Sequence, residues 1–413
     1  MKVLLVNKFH HVVGGSERYL FGLGEMLSSM GDEVIYFSMK DDRNVPSAQS
    51  RYFIRHLDFN ESMGAVGVIR NSLHVLYSAE AKQKFSRLLD DEKPDIIHLN
   101  IFQSQLTASI VDAAAARHIP IVYTAHELKS ICPNYQMLNH GNVCEKCLDG
   151  NYWHCFLEGC MKDSRAKSLL ASMEAFVYKL KKTYLKMDLV ITPSAFYKKK
   201  IEEAGVMRCP VLYMRNFLPV DAVYDGRGGD DSYFLYFGRL SREKGILTMI
   251  RAYKRANPEA PLYLAGRGVL EEDIYALIDE LGLGEKVKIL GFFSGEKLQQ
   301  LIRNAKAVCL TSEWYENGPY SVMEAQACGR PLLVTDIGGL PELVEDGKDG
   351  VICHAGDAAS IAEGFRRIEQ EGPWDTEGIA RRASMRYDAR QYAEKLRGLY
   401  LEQLRNRKGG KKT

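Results

Sequence analysis

The chain has 413 residues, more than one hydrophobic core usually serves, so two domains of roughly 200 residues each are expected. Hydrophobic residues make up 46% of it and charged residues 26%, which excludes a mainly disordered or low-complexity protein. A formal net charge of +2 gives no whole-molecule field for nucleic acid, so no nucleic-acid partner is expected. No stretch approaches the ~20 apolar residues of a membrane span, and Met1 leads into a strand-like run instead of a signal sequence. A cytoplasmic location is expected.

The first half of the chain alternates short apolar runs with helical patterns. Lys2 to Asn7 is followed by Gly14-Gly15-Ser16-Glu17 and a helical pattern, which predicts a strand, a glycine loop and a helix. Further predicted strands are Glu33 to Ser38, Ile96 to Leu99, Ile119 to Thr124 and Leu189 to Thr192, with helices such as Ala79 to Leu89 and Leu106 to Arg117. Apolar strands that alternate with helices indicate a parallel, doubly wound sheet.

Five of the nine cysteines crowd the segment from about 130 to 162, which reads as an insertion. Cys144-x2-Cys147 and Cys155-x4-Cys160 can together supply four thiolates to one structural zinc ion, with Cys132 and His154 as alternative ligands. A set of free thiols, a redox-labile loop and an iron–sulfur cluster stay open as alternatives. The other four cysteines lie in apolar runs and are expected to be small buried residues: Cys209, Cys309, Cys328 and Cys353.

A basic segment with interleaved apolar residues follows the cysteines. Its basic residues are Lys162, Arg165, Lys167, Lys179, Lys181, Lys182 and Lys186, and its apolar ones are Leu169, Leu170, Phe176, Val177, Tyr178, Leu180 and Tyr184. A helix of this kind can rest on an anionic membrane, which suits a lipid-linked acceptor, and an ordinary solvated helix face is the alternative.

The strand and helix pattern restarts after Asn216-Phe217-Leu218-Pro219 and a linker-like run from Asp225 to Asp231. Predicted strands are Tyr233 to Phe237, Leu262 to Ala265, Val287 to Leu290, Ala307 to Leu310 and Pro331 to Val334. The sequence thus predicts an N-terminal domain over 1–216 and a C-terminal domain over 217–387. Residues 388–413 are expected to form a helix that crosses back to the N-terminal domain, and then a basic tail from Lys408 to Thr413.

Two glutamates in the second half flank a turn and the start of a helix. Between Glu316 and Glu324 lies Asn317-Gly318-Pro319-Tyr320-Ser321, with Pro319 suited to a first helical position. Free backbone N–H groups there can face a phosphate, while the two carboxylates can accept hydrogen bonds from sugar hydroxyls. A nucleotide-sugar presents this combination of groups.

Glu316-x7-Glu324, followed by Ala325, Gly329 and Pro331, resembles the pattern of retaining glycosyltransferase family 4. Two glutamates at this spacing are ordinarily surface charges, but the Gly-Pro turn and the Glu-Ala-x-Ala-x-Gly-x-Pro run favour the family. The resemblance implies the GT-B fold, two Rossmann-like α/β domains that face each other across a cleft. The cysteine-rich insertion is not part of the common family pattern.

A second motif, Gly238-Arg239-Leu240-Ser241-Arg242-Glu243-Lys244-Gly245, follows the first strand of the second domain. Ligands of open α/β sheets bind outside such strand ends, and Arg239 and Lys244 can stabilise the charge on a leaving diphosphate. The family resemblance implies the same roles. An exposed basic loop is the alternative.

Other positions take their roles from the resemblance. Gly14, Gly15 and Glu17 look like the loop that faces the donor phosphate, and His126 looks like the histidine that contacts the donor sugar, with a possible catalytic part. Ser194 looks like a serine that faces the cleft, and Asn216 looks like the residue that opens the interdomain linker. The run from Gly338 to Glu342 resembles the turn beside the glutamate helix, where it shapes the cleft.

Together these motifs predict a retaining transfer of a hexosyl unit from a UDP- or GDP-linked donor to a glycan or lipid-linked acceptor, as in polysaccharide or glycolipid synthesis. No Asp-x-Asp pair is present, so no metal cofactor is expected for the transfer. The rival functions are a nucleotide-sugar epimerase of GT-B fold and a noncatalytic zinc-bearing scaffold. An oxidoreductase is disfavoured because the glycine loop lacks Gly-x-Gly-x-x-Gly.

Overall fold

A computed structural model describes residues 1–57, 65–219, 229 and 232–408. The chain divides into two compact units. The first contains residues 1–140, 144–215 and 389–413, and the second contains residues 216–388 with the short run 141–143. The predicted linker from Asp225 to Asp231 lies outside the described residues except for Gly229, and so does the predicted tail after Lys408.

The first unit is built from strands that alternate with helices. In chain order its elements are β1 (Lys2–Val6), α1 (Gly15–Ser29), β2 (Glu33–Phe37), α2 (Ala65–Leu76), α3 (Ala79–Glu92), β3 (Ile96–Leu99), α4 (Ala108–Ala116), β4 (Ile121–Thr124), β5 (Leu138–Asn139), β6 (Asn142–Val143), α5 (Trp153–Glu158), α6 (Arg165–Leu180), β7 (Leu189–Thr192), α7 (Ala195–Ala204) and β8 (Val211–Tyr213). Six of the strands form one parallel sheet in the order β2-β1-β3-β4-β7-β8.

The central strands of this sheet are buried along their whole length because helices cover both faces. Every residue of β3, β4 and β7 is buried, and so are Val3 to Val6 of β1. In β1 the residue Val3 pairs with Val34 on one side and with Ile96 on the other. Since β1 and β3 are neighbours whose connections run to opposite sides, their carboxyl ends open a crevice, the usual ligand position of such sheets.

The second unit repeats the architecture. Its elements are β9 (Tyr233–Phe237), α8 (Ile246–Ala256), β10 (Leu262–Ala265), α9 (Glu271–Glu280), β11 (Val287–Gly291), α10 (Gly295–Arg303), β12 (Ala305–Leu310), α11 (Tyr320–Ala327), β13 (Leu332–Thr335), β14 (Gly350–Cys353), α12 (Ala358–Gln370) and α13 (Thr376–Arg386). The parallel sheet has the order β11-β10-β9-β12-β13-β14, so the strand order reverses between β9 and β12. That reversal again marks a crevice at the carboxyl ends of two neighbouring strands.

The last helix, α14 (Ala389–Lys408), belongs to the first unit. Arg397 pairs with Asp32 at 2.7 Å, and Arg407 pairs with Asp188 at 2.8 Å. Asp32 also pairs with the amino terminus of Met1 at 2.9 Å. The two arginines thus fix both halves of the helix to loops of the first sheet.

The cysteine-rich segment lies between β4 and α6 and contains only short elements. The run from Asn139 to Asn142 forms the tip of the β5–β6 hairpin, where His140 and Gly141 have positive φ angles of 46° and 81°. Two consecutive positive φ angles match the twist of a tight hairpin. None of the described helices has the length and apolar character that crossing a membrane requires.

Candidate functional site

In the second unit, the two sequence motifs meet where the strand order reverses. The Gly238 loop follows β9, and the loop that carries Glu316 follows the neighbouring strand β12. Gly238 has a φ of 149°, and a Cβ atom on Gly266 would come within 1.8 Å of the Gly238 carbonyl oxygen. The glycines therefore allow loop backbones to touch at the floor of this crevice.

Lys244 and Glu316, which are 72 positions apart in the sequence, form an ion pair. Lys244 Nζ lies 2.6 Å from Glu316 Oε1, and the Ser312 hydroxyl donates to the same oxygen at 2.6 Å. The Glu316 side chain is only 5% exposed, and Lys244 lies 5.1 Å from the centre of the Trp314 ring. A short, charge-assisted contact of this kind fixes the ammonium group of Lys244 at the edge of the crevice.

Arg239 stays accessible to a ligand although it has protein partners. Its guanidinium group contacts Glu243 Oε1 at 2.5 Å and the Ser241 hydroxyl at 3.2 Å, while 60% of the side chain is exposed. Burial alone would raise the pKa of Glu243, but the hydrogen bond from Ser241 and the charge of Arg239 outweigh it and lower that pKa. The ionised Glu243 orients Arg239, whose exposed N–H groups can bind an anion.

Helix α11 begins at Tyr320, so Pro319 takes the position before the helix. The prediction that Pro319 is the first helical residue was therefore wrong by one position, because its ψ of 131° is extended. Glu324 lies on this helix and is 8% exposed. Asn216 donates from Nδ2 to the Gly318 carbonyl at 3.0 Å, which fixes the turn that contains Asn317. Ser321 follows in the first turn of the helix, whose N–H groups carry partial positive charge.

Two groups that support Glu316 were missed in the sequence. Gly338 was assigned only to a shaping turn, but a Cβ atom there would lie 2.5 Å from both the N and the O atom of Glu316. The next residue, Gly339, donates its N–H to the Glu316 carbonyl at 2.7 Å. Ser312, the other missed residue, carries no motif signal, and only its place after β12 could have pointed to it.

In the first unit, the glycine loop follows β1 and leads into α1. Glu17 is 2% exposed and accepts hydrogen bonds from the Gly14 N–H at 2.9 Å, the Ser16 hydroxyl at 2.8 Å and Asn7 Nδ2 at 2.9 Å. The structure thus places Glu17 inside a capping arrangement that shapes the loop. Gly14 and Gly15 lie at the N-terminus of α1, whose dipole favours an anion.

His126 lies just after the carboxyl end of β4 and is partly exposed. Burial lowers its pKa to about 3, so the ring is neutral at physiological pH. Its Nε2 atom lies 2.9 Å from Asn100 Oδ1, which can only accept, so the proton resides on Nε2 and Nδ1 is an acceptor. The ring also packs edge-on against Tyr19, with 4.8 Å between ring centres.

Ser194 is buried at 2% exposure, and its hydroxyl accepts the Tyr197 N–H at 3.1 Å as the cap of α7. This contact explains the serine without a ligand. Its predicted part in donor binding has no further support from the geometry.

The five cysteines of the inserted segment lie together. Cys132, Cys144, Cys147, Cys155 and Cys160, with His154, line one cavity of about 20 Å³. All five are free thiols, and Cys160 Sγ lies 3.2 Å from Cys155 Sγ. Within the described ranges, no group of three or more histidine, cysteine, aspartate or glutamate side chains has the arrangement of a metal site.

The basic segment is less amphipathic than its sequence indicates. Tyr178 and Tyr184, counted with its apolar face, are buried in the first unit. Lys186 pairs with Asp112 at 2.5 Å, and Lys181 stacks over Tyr77 at 4.5 Å. Part of the predicted membrane-binding surface is therefore occupied by contacts within the first unit.

Comparison with known proteins gives matches to both halves of the chain. The model described as Glycosyltransferase Family 4 matches residues 13–221, and the model described as Glycosyl transferases group 1 matches residues 225–392. An uncharacterised 42.6 kDa protein in the cps region of Klebsiella pneumoniae is 23% identical over 83% of this chain and 87% of its own. An N-acetylgalactosaminyltransferase of Campylobacter jejuni, which by name acts on a diphospho-undecaprenol-linked sugar, is 30% identical over 46% of this chain and 52% of its own.

The first curated relatives align over only about a third to a half of their length, 36% for an uncharacterised glycosyltransferase of Methanocaldococcus jannaschii and 46% for an α-D-kanosaminyltransferase of Streptomyces kanamyceticus. Similar solved structures cover nearly the whole chain. Sucrose-phosphate synthase from Thermosynechococcus elongatus has a TM-score of 0.69 at 19% identity, over 97% of this chain and 98% of its own. HepE of Anabaena in complex with UDP has a TM-score of 0.67 at 18% identity, over 97% of this chain and all of its own.

The structural likeness confirms the predicted fold class of two parallel-sheet α/β domains, since at these identities it carries the fold alone. The two family models together confirm the resemblance: the first covers half of the chain, and the second covers the range that contains Glu316 and Glu324. This chain belongs to glycosyltransferase family 4.

Proposed function

We propose that the protein transfers a hexosyl unit from a nucleotide-diphosphate sugar to a hydroxyl acceptor, with retention of configuration. The observation that carries the proposal is the Lys244–Glu316 pair beside the exposed Arg239, where the strand order of the second unit reverses. Two cations on the loop after β9 match the charge of a diphosphate. Glu316 is held by Lys244, Ser312 and the Gly339 N–H, so its carboxylate is oriented before a sugar arrives.

The donor is proposed to be UDP- or GDP-linked, with UDP as the first candidate. Two of the similar structures are described as complexes with UDP and with UDP-glucose, and that binding is theirs. For this chain, the first turn of α11 follows the loop whose Glu316 pairs with Lys244, and its N–H groups add partial positive charge. We infer that these groups stabilise the leaving diphosphate without a divalent cation, and that Glu324 accepts hydrogen bonds from the sugar.

In the first unit, neutral His126 is suited to bind a sugar hydroxyl. Its Nδ1 atom can accept a hydrogen bond from a sugar hydroxyl, because Asn100 fixes the proton of the ring on Nε2. A permanently neutral ring is an acceptor rather than a general acid, so we assign His126 to orientation of the donor sugar. The acceptor hydroxyl then attacks on the face from which the diphosphate leaves and gives its proton to the departing diphosphate oxygen, which retains configuration.

The acceptor is proposed to be a glycan or a lipid-linked glycan in polysaccharide or glycolipid synthesis. The support is the cps region named for the Klebsiella relative and the lipid-linked substrate named for the Campylobacter relative. A peripheral contact with anionic membrane would suit such an acceptor. Leu180 is 84% exposed next to the exposed Lys181 and Lys182, which gives the contact a small amphipathic patch.

Flotation with vesicles tests the membrane contact. Binding to vesicles with anionic lipid but not to neutral ones is expected, and the double change of Lys181 and Lys182 to Glu should abolish it. If wild-type protein stays unbound with anionic vesicles, the membrane contact is rejected while the transfer proposal stands.

Calorimetric titration with UDP-, GDP- and ADP-sugars tests the donor site. In the presence of a chelator, one donor is expected to bind to wild-type protein. Lys244→Ala should weaken that binding by about 10- to 100-fold, since a charged hydrogen bond contributes roughly 1.5–3 kcal/mol. Glu324→Ala should weaken binding of the nucleotide-sugar more than binding of the free nucleotide diphosphate.

Lys348→Ala is the matched control, because Lys348 is half exposed and pairs with the equally exposed Glu345 of the same unit. It should bind the donor like wild type. If no donor binds to the folded protein, or if Lys348→Ala and Lys244→Ala have equal effects, the proposal fails. Conversion of the sugar to its epimer with donor alone would identify an epimerase instead.

A further inference from the structure

We propose that the cysteine-rich segment holds one structural zinc ion, and that Cys132 is one of its ligands together with Cys147, Cys160 and either Cys144 or Cys155. The site is independent of the proposed donor site. It differs from the sequence prediction, in which Cys132 was only an alternative ligand. Cys132 comes from the loop directly after β4, whereas the other cysteines follow the β5–β6 hairpin, so the ion would join two separate parts of the segment.

The cavity has the size and the lining of an ion site. Its volume of about 20 Å³ accommodates one water-sized sphere, and an ion with tetrahedral thiolate ligands needs no more. Cys132 and Cys147 are each 8% exposed, Cys155 is 1% exposed, and Cys144 and Cys160 are partly exposed at the rim. Cys-x2-Cys spacing at a tight turn is typical of zinc ligands, and Cys147 lies at such a turn, Lys146–Asp149.

Hydrogen-bond donors already point at the sulfur atoms. The backbone N–H groups of Asn134 and Met137 face the Cys132 sulfur, and the N–H of Cys155 faces the Cys147 sulfur. Lys129 adds a positive charge near Cys132 and Cys155. Metal-bound thiolates are stabilised by N–H donors and nearby cations, while uncharged core cysteines have little use for them.

The thiol form differs from a metal-bound form by a small movement. In the structure, Cys160 donates to Cys155 with a sulfur–sulfur distance of 3.2 Å. Four sulfurs at about 2.3 Å from zinc lie about 3.8 Å from one another, so metal binding requires Cys160 and Cys155 to separate. The described side chains are not arranged as a metal site, and the Cys155–Cys160 contact is one that an ion would have to separate.

The part of the segment after the β5–β6 hairpin packs into a small apolar cluster. It consists of Cys147, Tyr152, Cys155 and Ala171, with Cys160, Met161, Ala175 and Phe176 packed against them. An ion adds a crosslink to so small a core. The Cys132 N–H bonds the Leu128 carbonyl at 2.9 Å, and Leu128 is two residues from His126. The ion would thus brace the loop that leaves the His126 site.

Elemental analysis of the purified full-length protein by inductively coupled plasma mass spectrometry is the test. Wild-type protein from zinc-supplemented cells should carry about one zinc ion per chain. Cys132→Ser, Cys147→Ser and Cys160→Ser should each carry almost none, and one of Cys144→Ser and Cys155→Ser should match them while the other keeps the ion. Cys209→Ser, a partly exposed thiol outside the segment, is the matched control and should keep it.

Because a variant can lose zinc by unfolding, circular dichroism and the melting temperature are measured on each one. A chelator should lower the melting temperature of wild type to that of Cys132→Ser and should not lower that of Cys132→Ser further. Wild-type protein without stoichiometric zinc, stoichiometric iron in its place, or a folded Cys132→Ser variant that retains zinc would each overturn the proposal. Donor binding is not the readout, so failure here leaves the transfer proposal intact.

Discussion

Gly338 packs so closely against the backbone of Glu316 that no residue with a Cβ atom fits there. It has a φ of 60°, and a Cβ atom would lie 2.5 Å from the backbone N and O of Glu316, which cannot move without distorting the loop. We expect Gly338→Ala to lower the free energy of unfolding by about 3 kcal/mol or more, and to weaken donor binding because Glu316 shifts. Denaturant unfolding and calorimetric titration measure the two effects.

Gly347→Ala is a control that separates the steric clash of a Cβ atom with Glu316 from the strain of a positive φ angle. Gly347 has a similar φ of 75°, but nothing lies within 4 Å of the Cβ position. It should therefore cost only about 1 kcal/mol, the strain of a left-handed residue, and leave donor binding unchanged. Equal losses in the two variants would show that the contact with Glu316 is unimportant.

At this scale, sequence reasoning found the residues but not their partners. Lys244 and Glu316 were each identified from a local motif, whereas their ion pair depends on β9 and β12 being neighbours in the sheet. Glu17 was assigned by resemblance to the donor loop, and its capping of Gly14 depends on Asn7 at the end of β1. Tertiary contacts of this kind leave no signal in a single sequence.

Among the elements, α14 is connected to the first sheet by a buried polar chain. The Tyr400 hydroxyl hydrogen-bonds to His98 Nδ1, and His98 Nε2 lies 2.7 Å from the Thr124 hydroxyl. We expect Tyr400→Phe to lower the free energy of unfolding by about 1–3 kcal/mol, since it leaves a fully buried ring nitrogen without its partner. Urea unfolding of the purified variant is the measurement.

Tyr275→Phe is a suitable comparison for this change, because Tyr275 lies on α9 and is 54% exposed. A surface change of this kind should stay within about 0.5 kcal/mol of wild type. If Tyr400→Phe is equally neutral, the hydroxyl does not contribute to the docking of α14.

The elements that sequence reasoning found are those with long apolar runs. Five strands of each sheet were predicted close to their observed bounds, while the edge strands β8 and β14 were not predicted. The sequence signal of these two strands is weak, since β8 has three residues of which only one is buried, and β14 begins at a glycine. Helix α5 was hidden among the cysteines because it has only six residues.

For the molecule as a whole, the histidines are distributed unevenly between the units. Nine of the ten lie in the first unit, and only His354 lies in the second. Burial lowers the pKa of His10 to about 4 and the pKa values of His98 and His126 to about 3, with a smaller contribution from a neighbouring histidine in the first two cases. The folded first unit therefore resists protonation at three positions.

We expect acid to destabilise the first unit selectively. Below pH 6.5 the histidines of the unfolded chain take up protons that the three buried histidines of the folded unit do not. The free energy of unfolding of the first unit is therefore unaffected by them above pH 6.5 and decreases as the pH falls toward 4. Each such histidine contributes a slope of up to about 1.4 kcal/mol per pH unit. Differential scanning calorimetry between pH 7.5 and 5 should show two transitions that separate, with one falling steeply.

His126→Gln should reduce the slope of the steep transition, and His118→Gln, a change at an exposed position, should leave it unaltered. Two transitions that move in parallel with pH would contradict the assignment of the buried histidines to one unit. The sequence predicted two domains, but it did not predict which histidines are buried in the first one.

The return of α14 to the first unit has a consequence for how the protein is made. The ribosome delivers residues 216–388, nearly all of the second unit, as one continuous stretch, so that unit can fold during synthesis. Synthesis of the first unit starts before that of the second and is completed after it. Its sheet cannot form the contacts with Tyr392, Arg397 and Tyr400 until α14 has been made. Until α14 has been synthesised, Asp32 lacks Arg397 and His98 lacks Tyr400, so we expect the nascent first unit to depend on a chaperone more than the second.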